Sequence, residues 1–309
     1  MYKEKINILK ENICKRFTGK DSVVDNLIIA LLAGGHVLIE DVPGVGKTTL
    51  AKSLAESVAA DFARVQFTPD TLPTDILGTS VYSSKNENFH VVKGPVFHQF
   101  LLADEINRTS PKTQSALLEA MEERQVTIDG ETFELPRPFM VLATQNPSEQ
   151  IGTYPLPEAE LDRFLMKISI GYPGKDMQNE LAHRFLTGKF EEKMIPVLSV
   201  KEVLEMMDDV KKVIIKNELL EYALTIVEKT RSLKEVVYGL SPRAGLELLR
   251  ASQACAYVRG RDFVIPEDII DMAKVVFPHR LPLTTEARIS RFTGYQLIID
   301  VVEKVKRPK

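Results

Sequence analysis

The chain has 309 residues, of which 44% are hydrophobic and 27% are charged, so it is long and apolar enough to bury two hydrophobic cores. Its formal net charge of −3 excludes the overall basic field that supplies most non-specific affinity for DNA or RNA, and nucleic acid is not an expected partner. The two cysteines, Cys14 and Cys255, lie far apart and fit neither a disulfide scaffold nor a Cys/His metal-ligand spacing.

The start of the chain shows no targeting or membrane-spanning pattern. Apolar residues recur near a helical period among charges, without the continuous apolar core of a signal peptide: Ile6, Leu9, Ile13 and Phe17. The longest apolar run, residues 27–39, is interrupted by Gly34, Gly35 and His36 and is too short to cross a bilayer. These patterns predict a cytoplasmic protein without a transmembrane segment.

Short apolar runs alternate with helical patterns as far as residue 170. This alternation is typical of parallel strands joined by crossover helices, and it predicts an α/β fold around a five-stranded parallel sheet. We expect each strand to be buried on both faces. The predicted strands are residues 36–40, 63–67, 98–104, 139–144 and 165–170. Ser110 followed by Pro111 predicts the start of a helix between the third and fourth strands.

Two segments are predicted as hairpins inserted into this core. Residues 81–97 end at a Gly-Pro pair, and residues 125–133 contain an Asp-Gly pair that suits a tight two-residue turn. After the Gly-Tyr-Pro-Gly cluster at residues 171–174 the strand pattern stops and helical periodicity continues to the end. The sequence therefore predicts a core at residues 1–172 and an all-helical second domain at residues 173–309.

The clearest chemical pattern is Asp-Val-Pro-Gly-Val-Gly-Lys-Thr at residues 41–48, between a predicted strand and a helix. Gly44 and Gly46 allow backbone N–H groups to surround phosphates at a helix N-terminus, where the helix dipole favours negative charge. We expect Lys47 to reach the β- and γ-phosphates of ATP and Thr48 to bind Mg²⁺. Asp41 stands where the strict pattern has glycine, but the approach to phosphate depends mainly on the later glycines and the lysine. Nucleotide binding is assigned to the whole loop and the helix start: Asp41, Val42, Pro43, Gly44, Val45, Gly46, Lys47, Thr48 and Thr49.

A second pattern is an apolar strand that ends in two carboxylates, Asp104 and Glu105. In a nucleotide site, the first would hold Mg²⁺ next to the nucleotide and the second would orient and activate the attacking water. Such a pair after a strand is often only a helix cap. Its position downstream of a phosphate loop, at the end of a parallel strand, favours the catalytic role. Together the two patterns predict a Mg²⁺-dependent ATPase.

Two long stretches resemble the MoxR family of AAA+ ATPases. They are LLADEINRTSPKTQSALLEAMEERQVTIDG and VLATQNPSEQIGTYPLPEAELDRF, and the phosphate loop written EDVPGVGKT also fits that family. The resemblance covers nearly the whole chain and implies an AAA+ core followed by a helical lid domain. The two hairpins resemble the helix-2 insert and the pre-sensor-1 insert of the related clade, whose position suggests contact with a partner or with a central pore.

The resemblance implies roles for three further residues. Asn146 matches sensor 1, whose amide can bond both the γ-phosphate and the attacking water; it could instead simply open the turn before a proline. Arg163 matches the arginine finger that acts on a neighbouring subunit, although a surface arginine paired with an adjacent acid would need no such role. Arg243 matches sensor 2 in the lid. Arg108 is equally compatible with an intersubunit contact and with a solvated side chain.

The family resemblance implies an oligomer, expected to be a hexamer, that remodels or matures partner proteins, including proteins with von Willebrand factor A domains. Two alternatives stay open: a nucleic-acid motor of the related helicase type, and a nucleotide-gated switch with little turnover. The charge balance disfavours the first, and the joint presence of Glu105, Asn146 and Arg163 disfavours the second. No aromatic pore loop is evident near residues 77–80.

Overall fold

The computed structural model describes residues 2–17, 20–85, 87–146, 152–188 and 194–308. Its strands are β1 (Val37–Glu40), β2 (Phe62–Gln66), β3 (Gly78–Ser83), β4 (Asn88–Lys93), β5 (Phe100–Asp104), β6 (Gln125–Ile128), β7 (Glu131–Glu134), β8 (Met140–Gln145) and β9 (Met166–Ile168). Five of them form one sheet in the order β2-β5-β8-β1-β9, and every neighbouring pair in it is parallel. The predicted five-stranded parallel sheet is confirmed.

The expectation that every strand is buried on both faces is wrong for β2. All of β5 is buried, whereas Arg64 and Gln66 of β2 are exposed. β2 lies at the edge of the sheet, where one side has no neighbouring strand and polar side chains can reach solvent. Both polar side chains turn towards the carboxylates at the end of β5.

Helices cover the sheet and make up most of the later chain. Those of the first part are α1 (Tyr2–Cys14), α2 (Asp21–Leu32), α3 (Lys47–Ser57), α4 (Pro73–Leu77), α5 (Pro111–Glu123) and α6 (Glu158–Leu161). Those of the second part are α7 (Lys175–Leu186), α8 (Val200–Val210), α9 (Asn217–Thr230), α10 (Pro242–Val258), α11 (Pro266–Val276), α12 (Thr285–Ile289) and α13 (Gly294–Lys304). α5 begins as predicted, because the Ser110 hydroxyl accepts a hydrogen bond from the Thr113 N–H and Pro111 fills the first turn. Among the described helices, none combines the length and the apolar character needed to span a bilayer.

Apolar clusters lie on the two faces of the sheet. Leu101 and Leu102 of β5 belong to different clusters because successive strand residues point to opposite faces. One cluster contains α5 and the hairpin β6–β7. The other contains α1, α2 and α3 and continues into the helices after residue 174, where α2 packs against α10. The change from strands to helices occurs where it was predicted, and the domain boundary at residues 172–173 stays a prediction.

Both predicted hairpins are present as β3–β4 and β6–β7. The first begins at Gly78, three residues before the predicted start, because its base closes at a pair of glycines. A Cβ on Gly78 would lie 2.3 Å from the Val92 carbonyl oxygen, and one on Gly94 would lie 2.3 Å from that of Ile76. In the second hairpin Asp129 and Gly130 have φ of +49° and +86°, as a two-residue turn of this type requires.

Candidate nucleotide-binding site

The phosphate loop connects β1 to α3. Gly44 and Gly46 have φ of +82° and +91°, in the left-handed region that favours glycine. A Cβ on Gly44 would meet no atom of the described residues within 4 Å, so the loop faces open space there among them. α3 begins at Lys47, and the N–H groups of its first turn have no partner within the helix. The Lys47 ammonium donates to the Asp41 carbonyl oxygen at 2.7 Å. This arrangement presents a helix N-terminus and a lysine to an anion.

The Asp41 side chain turns away from the loop that its backbone begins. One carboxylate oxygen accepts hydrogen bonds from the N–H groups of Ile170 and Gly171 at 2.5 and 2.8 Å, and from the Ser169 hydroxyl at 3.1 Å. The other accepts from the Val42 N–H at 3.1 Å. Only 7% of Asp41 is exposed. Asp41 can therefore contribute its backbone to the phosphate loop, while its carboxylate serves the segment after β9.

The predicted acid pair lies at the carboxyl end of β5. Asp104 accepts from the Thr144 hydroxyl at 2.6 Å with one oxygen and from the Arg64 guanidinium at 2.7 Å with the other. The Glu105 N–H donates to the same Thr144 oxygen at 2.9 Å, and Glu105 has φ of +58°, an uncommon conformation for a residue with a side chain. The Thr144 hydroxyl therefore fixes both acids relative to each other. The sequence did not identify Thr144 as a site residue, because Thr144 was predicted only as the last residue of an apolar strand.

Polar partners from the neighbouring strand and the following turn hold the Glu105 carboxylate. One of its oxygens accepts from the Gln66 amide at 2.7 Å and from the Arg108 guanidinium at 3.0 Å. The Arg108 side chain, which the sequence left between two roles, thus contacts the predicted catalytic acid of its own chain. Glu105 would have to exchange these partners for water before it could act as a base.

Asn146 follows β8 and is 5% exposed. β8 lies between β5 and β1, so the carboxyl ends of three adjacent strands carry Asn146, the acid pair and the phosphate loop. Strands are spaced about 4.8 Å apart, which brings these groups within about 10 Å of one another. The turn expected after Asn146 begins at residue 147 and falls outside the described residues.

The donor set at this edge suits Mg²⁺. Asp104 provides carboxylate oxygens and Thr48, the second residue of α3, provides a hydroxyl, and Mg²⁺ prefers oxygen ligands of this kind beside substrate phosphates. One Asp104 oxygen is engaged by Arg64, so Mg²⁺ would compete with that guanidinium. When bound, Mg²⁺ neutralises the charge of the β- and γ-phosphates.

A cavity of about 410 Å³ adjoins the phosphate loop on the side of α7. Most of its walls are apolar, which suits the flat ring of a nucleotide base. It is lined by Arg16, Phe17, Gly44, Val45, Gly46, Thr49, Pro173, Leu181, Ala182 and Phe185. Sequence reasoning did not assign Phe17 or Pro173 to this site, since Phe17 fitted the apolar period of α1 and Pro173 belonged to the expected boundary. Only the tertiary structure brings Phe17 and Pro173 next to the phosphate loop.

Arg163 lies just after α6 and is not among the residues that line this cavity. In the part of the chain that the structure describes, its guanidinium makes no ion pair, whereas the adjacent acids are engaged elsewhere. Asp162 accepts from Arg280 at 2.6 Å, and Glu160 accepts from the Ser115 hydroxyl at 2.8 Å. The alternative of a surface arginine paired with its neighbours thus finds no support in these contacts.

Arg243, at the start of α10, lies beside the Arg163 segment. It forms an ion pair with Glu122 at 2.5 Å, and its Nε is 3.9 Å from the Asp162 carboxylate. The hydrogen bond that Arg243 donates to the Glu122 carboxylate raises the pKa of Arg243 above its usual value. Arg243 does not line the cavity at the phosphate loop. Arg243 therefore contacts the residue next to Arg163 in the chain.

Comparison with known proteins identifies the family of the chain. Residues 36–166 match the ATPase family associated with various cellular activities (AAA), and residues 228–298 match the AAA lid domain. The chain is 46% identical to the uncharacterized protein YeaC of Bacillus subtilis, over 96% of this chain and 93% of YeaC. It is 43% identical to chaperone MoxR1 of Mycobacterium tuberculosis, over 94% of this chain and 79% of MoxR1. A crystal structure of a protein from Cytophaga hutchinsonii, proposed to be an ATPase, has a TM-score of 0.94 and 42% identity, over 100% of this chain and 96% of that chain. The chain belongs to the MoxR family of AAA+ ATPases.

Proposed function

We propose that this protein binds ATP with Mg²⁺ and hydrolyses it to ADP and phosphate within an oligomer, and that hydrolysis remodels or matures partner proteins. The observation that carries the proposal is the meeting of the phosphate loop, the acid pair and Asn146 at the ends of three adjacent strands. Each group on its own has a simpler explanation, as a turn or a helix cap. Their common location supports one catalytic site.

In the proposed reaction Lys47 exchanges the Asp41 carbonyl for the β- and γ-phosphates. Glu105 leaves Gln66 and Arg108 and accepts a hydrogen bond from the attacking water, which it orients and deprotonates. The Asn146 amide donates to the γ-phosphate and holds the same water. Most of the catalysis comes from positioning and charge stabilisation, because phosphoryl transfer needs little covalent participation by the protein.

We propose that Arg163 acts in trans, on the phosphate of a neighbouring subunit. Its lack of an ion-pair partner among the described residues leaves the guanidinium available to a phosphate, and it is not among the residues that line the cavity of its own chain, which favours a neighbour's site. Arg243 lies beside Asp162, the residue next to Arg163, and we propose that both arginines belong to one interface. An arginine supplied in this way contributes about 10³–10⁵ in rate in related phosphoryl-transfer systems.

The chaperone-like role rests on family membership, and MoxR1 of M. tuberculosis is named a chaperone. The first hairpin offers a contact surface for a client, because Tyr82 and Phe89 pair edge to face at 5.2 Å while staying 52% and 65% exposed. The sequence shows no aromatic residue at positions 77–80, and the nearest aromatic residue, Tyr82, lies further along the first hairpin. The hexamer, the von Willebrand factor A clients and the cytoplasmic location stay proposals.

Mixing two inactive variants tests the trans mechanism. Lys47→Ala lacks nucleotide binding and Arg163→Ala lacks the finger, so an intact phosphate loop meets an intact finger only between unlike subunits. We expect mixing to restore part of the ATPase activity. As a control, a Lys47→Ala/Arg163→Ala double variant is mixed with Arg163→Ala. The double variant should co-assemble but supplies no finger, so this mixture should regain no ATPase activity. Co-assembled mixtures without activity, or a dilute monomer that hydrolyses ATP at the full rate, would contradict the proposal.

The helicase alternative is tested with duplex and single-stranded DNA. It requires DNA to stimulate ATP hydrolysis and the affinity for DNA to fall steeply with salt. We expect neither result, because a protein with a net charge of −3 has no overall positive field to attract the phosphates of DNA. Stimulation of several-fold at physiological salt would replace the chaperone proposal with a nucleic-acid motor.

A further inference from the structure

Asp41 occupies the position at which the strict phosphate-loop pattern has glycine. A glycine there would be the simpler choice for the loop, since burial of a carboxylate removes its hydration. Instead this position holds an aspartate of which only 7% is exposed, and its carboxylate accepts four hydrogen bonds from neutral donors. Such a set of donors offsets the cost of burial. The residue that departs from the pattern therefore makes specific hydrogen bonds that a glycine could not make.

Three of these four donors belong to the segment that leads from the core to the lid. Ser169, Ile170 and Gly171 directly follow β9, and Gly171 has φ of +71°, which turns the chain towards α7. We name residues 169–171 the hinge segment. α7 begins at Lys175, four residues beyond it, and forms one wall of the cavity next to the phosphate loop. Asp41 thus joins the loop to the start of the element that covers the nucleotide cavity.

The same residue contacts the catalytic lysine. The Asp41 carbonyl oxygen accepts from the Lys47 ammonium at 2.7 Å, while the carboxylate holds the hinge segment. A phosphate that attracts Lys47 removes the first of these contacts and leaves the Asp41 carbonyl oxygen without its Lys47 donor. α7 can respond to this change because it is loosely packed at its end, where Phe185 and Leu186 are 76% and 79% exposed.

We infer that Asp41 is a positioning residue that couples phosphate binding at Lys47 to the hinge segment and so to α7. This inference rests on the proposed ATPase function and adds to it a route by which the lid responds to the nucleotide. The two states of the route differ in the partner of the Lys47 ammonium, which is the Asp41 carbonyl in one and a phosphate in the other. The carboxylate then transmits the change through its bonds to the Ile170 and Gly171 amides.

The test uses Asp41→Gly, which restores the strict pattern, and Asp41→Asn, which keeps an oxygen that can still accept from the hinge segment. Asp75→Ala is the matched control, because it also removes a carboxylate that accepts a backbone N–H, that of Leu72 at 2.9 Å, away from the loop. For each protein the affinity for Mg²⁺-ADP and a non-hydrolysable ATP analogue, kcat and KM are measured. Hydrogen exchange of residues 169–186 is followed with and without these nucleotides.

We expect nucleotide to increase the protection of residues 169–186 in the wild type. Asp41→Gly should bind nucleotide within about threefold of the wild type but lose that increase, and kcat should fall about tenfold or more, as expected when a charge-assisted contact is removed. Asp41→Asn should keep part of both effects, and Asp75→Ala should match the wild type. A residue needed only for folding would lower stability in Asp41→Gly while nucleotide-dependent protection persisted.

Two results would overturn the inference in distinguishable ways. A wild type that binds no nucleotide would remove the proposed function and the inference with it. Normal binding, with Asp41→Gly retaining the nucleotide-dependent protection or the wild-type kcat, would remove the inference alone. If Asp41→Gly does not fold, Asp41→Asn decides, since a full wild-type response in that variant contradicts a role for the charged carboxylate.

Discussion

Replacement of Arg280 tests how the lid holds the segment that carries Arg163. The Arg280 guanidinium donates to the Asp162 carboxylate at 2.6 Å and to the Phe164 and Leu165 carbonyl oxygens at 2.8 and 3.1 Å. It also donates to the carbonyl oxygens of Asp162 and Val276. Only 3% of its side chain is exposed. This one side chain therefore connects the end of α11 to the residues on both sides of the predicted finger.

Arg280→Lys keeps the positive charge but leaves buried acceptors without donors, because an ammonium has three N–H groups for the five bonds of the arginine. Each acceptor without a donor costs about 1–3 kcal/mol, so the free energy of unfolding should fall by about 2–5 kcal/mol. For a chain of 309 residues that lowers Tm by roughly 3–8 °C in scanning calorimetry. Arg261→Lys is the matched control, since Arg261 pairs with the fully buried Asp268 elsewhere in the lid. It should also lose stability.

A functional assay separates positioning from stability. In the mixture described above, the Lys47→Ala subunit supplies the finger and the Arg163→Ala subunit supplies the nucleotide site. Arg280→Lys should reduce the restored activity when it is added to the finger-supplying subunit and leave it nearly unchanged in the other. Arg261→Lys should act equally in both. An unchanged Tm, or equal effects of Arg280→Lys in the two subunits, would refute the argument.

Three further predictions concern the site and the core. Lys47→Ala should abolish ATP binding, whereas Glu105→Gln should bind ATP nearly normally and release no phosphate; near-normal turnover in Glu105→Gln would overturn its assignment as the base. Thr144→Val should lower kcat about 10- to 100-fold with little change in nucleotide affinity, because the hydroxyl that fixes the two acids is lost, and Thr144→Ser should keep most of the activity. Burial lowers the pKa of His36 to about 3 and that of His279 well below its usual 6.5, so both stay neutral in the folded protein while the unfolded chain takes up protons below pH 6.5. Unfolding free energy should therefore fall as pH drops below 6.5, by about 2 kcal/mol for His36 at pH 5 and in the same direction for His279. Urea titrations of the wild type and of a His36→Gln variant, which should show a shallower dependence on pH, check this sign.

Local patterns in the sequence were sufficient for the sheet, the hairpins and the phosphate loop. Alternating apolar runs predicted the five strands, and the Asp129-Gly130 pair predicted its turn, because both depend on neighbours within a few residues. The predicted first hairpin began three residues late, since a glycine at its base looks like the end of an element. β2 was predicted as a fully buried strand because its apolar residues do not reveal an edge position.

The sequence by itself determined the family and predicted the chemistry, since the order strand, glycine-rich loop, lysine and helix, followed by an acid pair after another strand, is encoded in consecutive residues. Only the tertiary structure decided which distant groups meet: Thr144 with the acid pair, Phe17 with the phosphate loop, Arg280 with Asp162 and Asp41 with the hinge segment. The physical reason is that these contacts depend on strand order and on the path of the chain over the sheet. Those are set by burial of apolar faces across the whole molecule, and no spacing between residues along the chain records them.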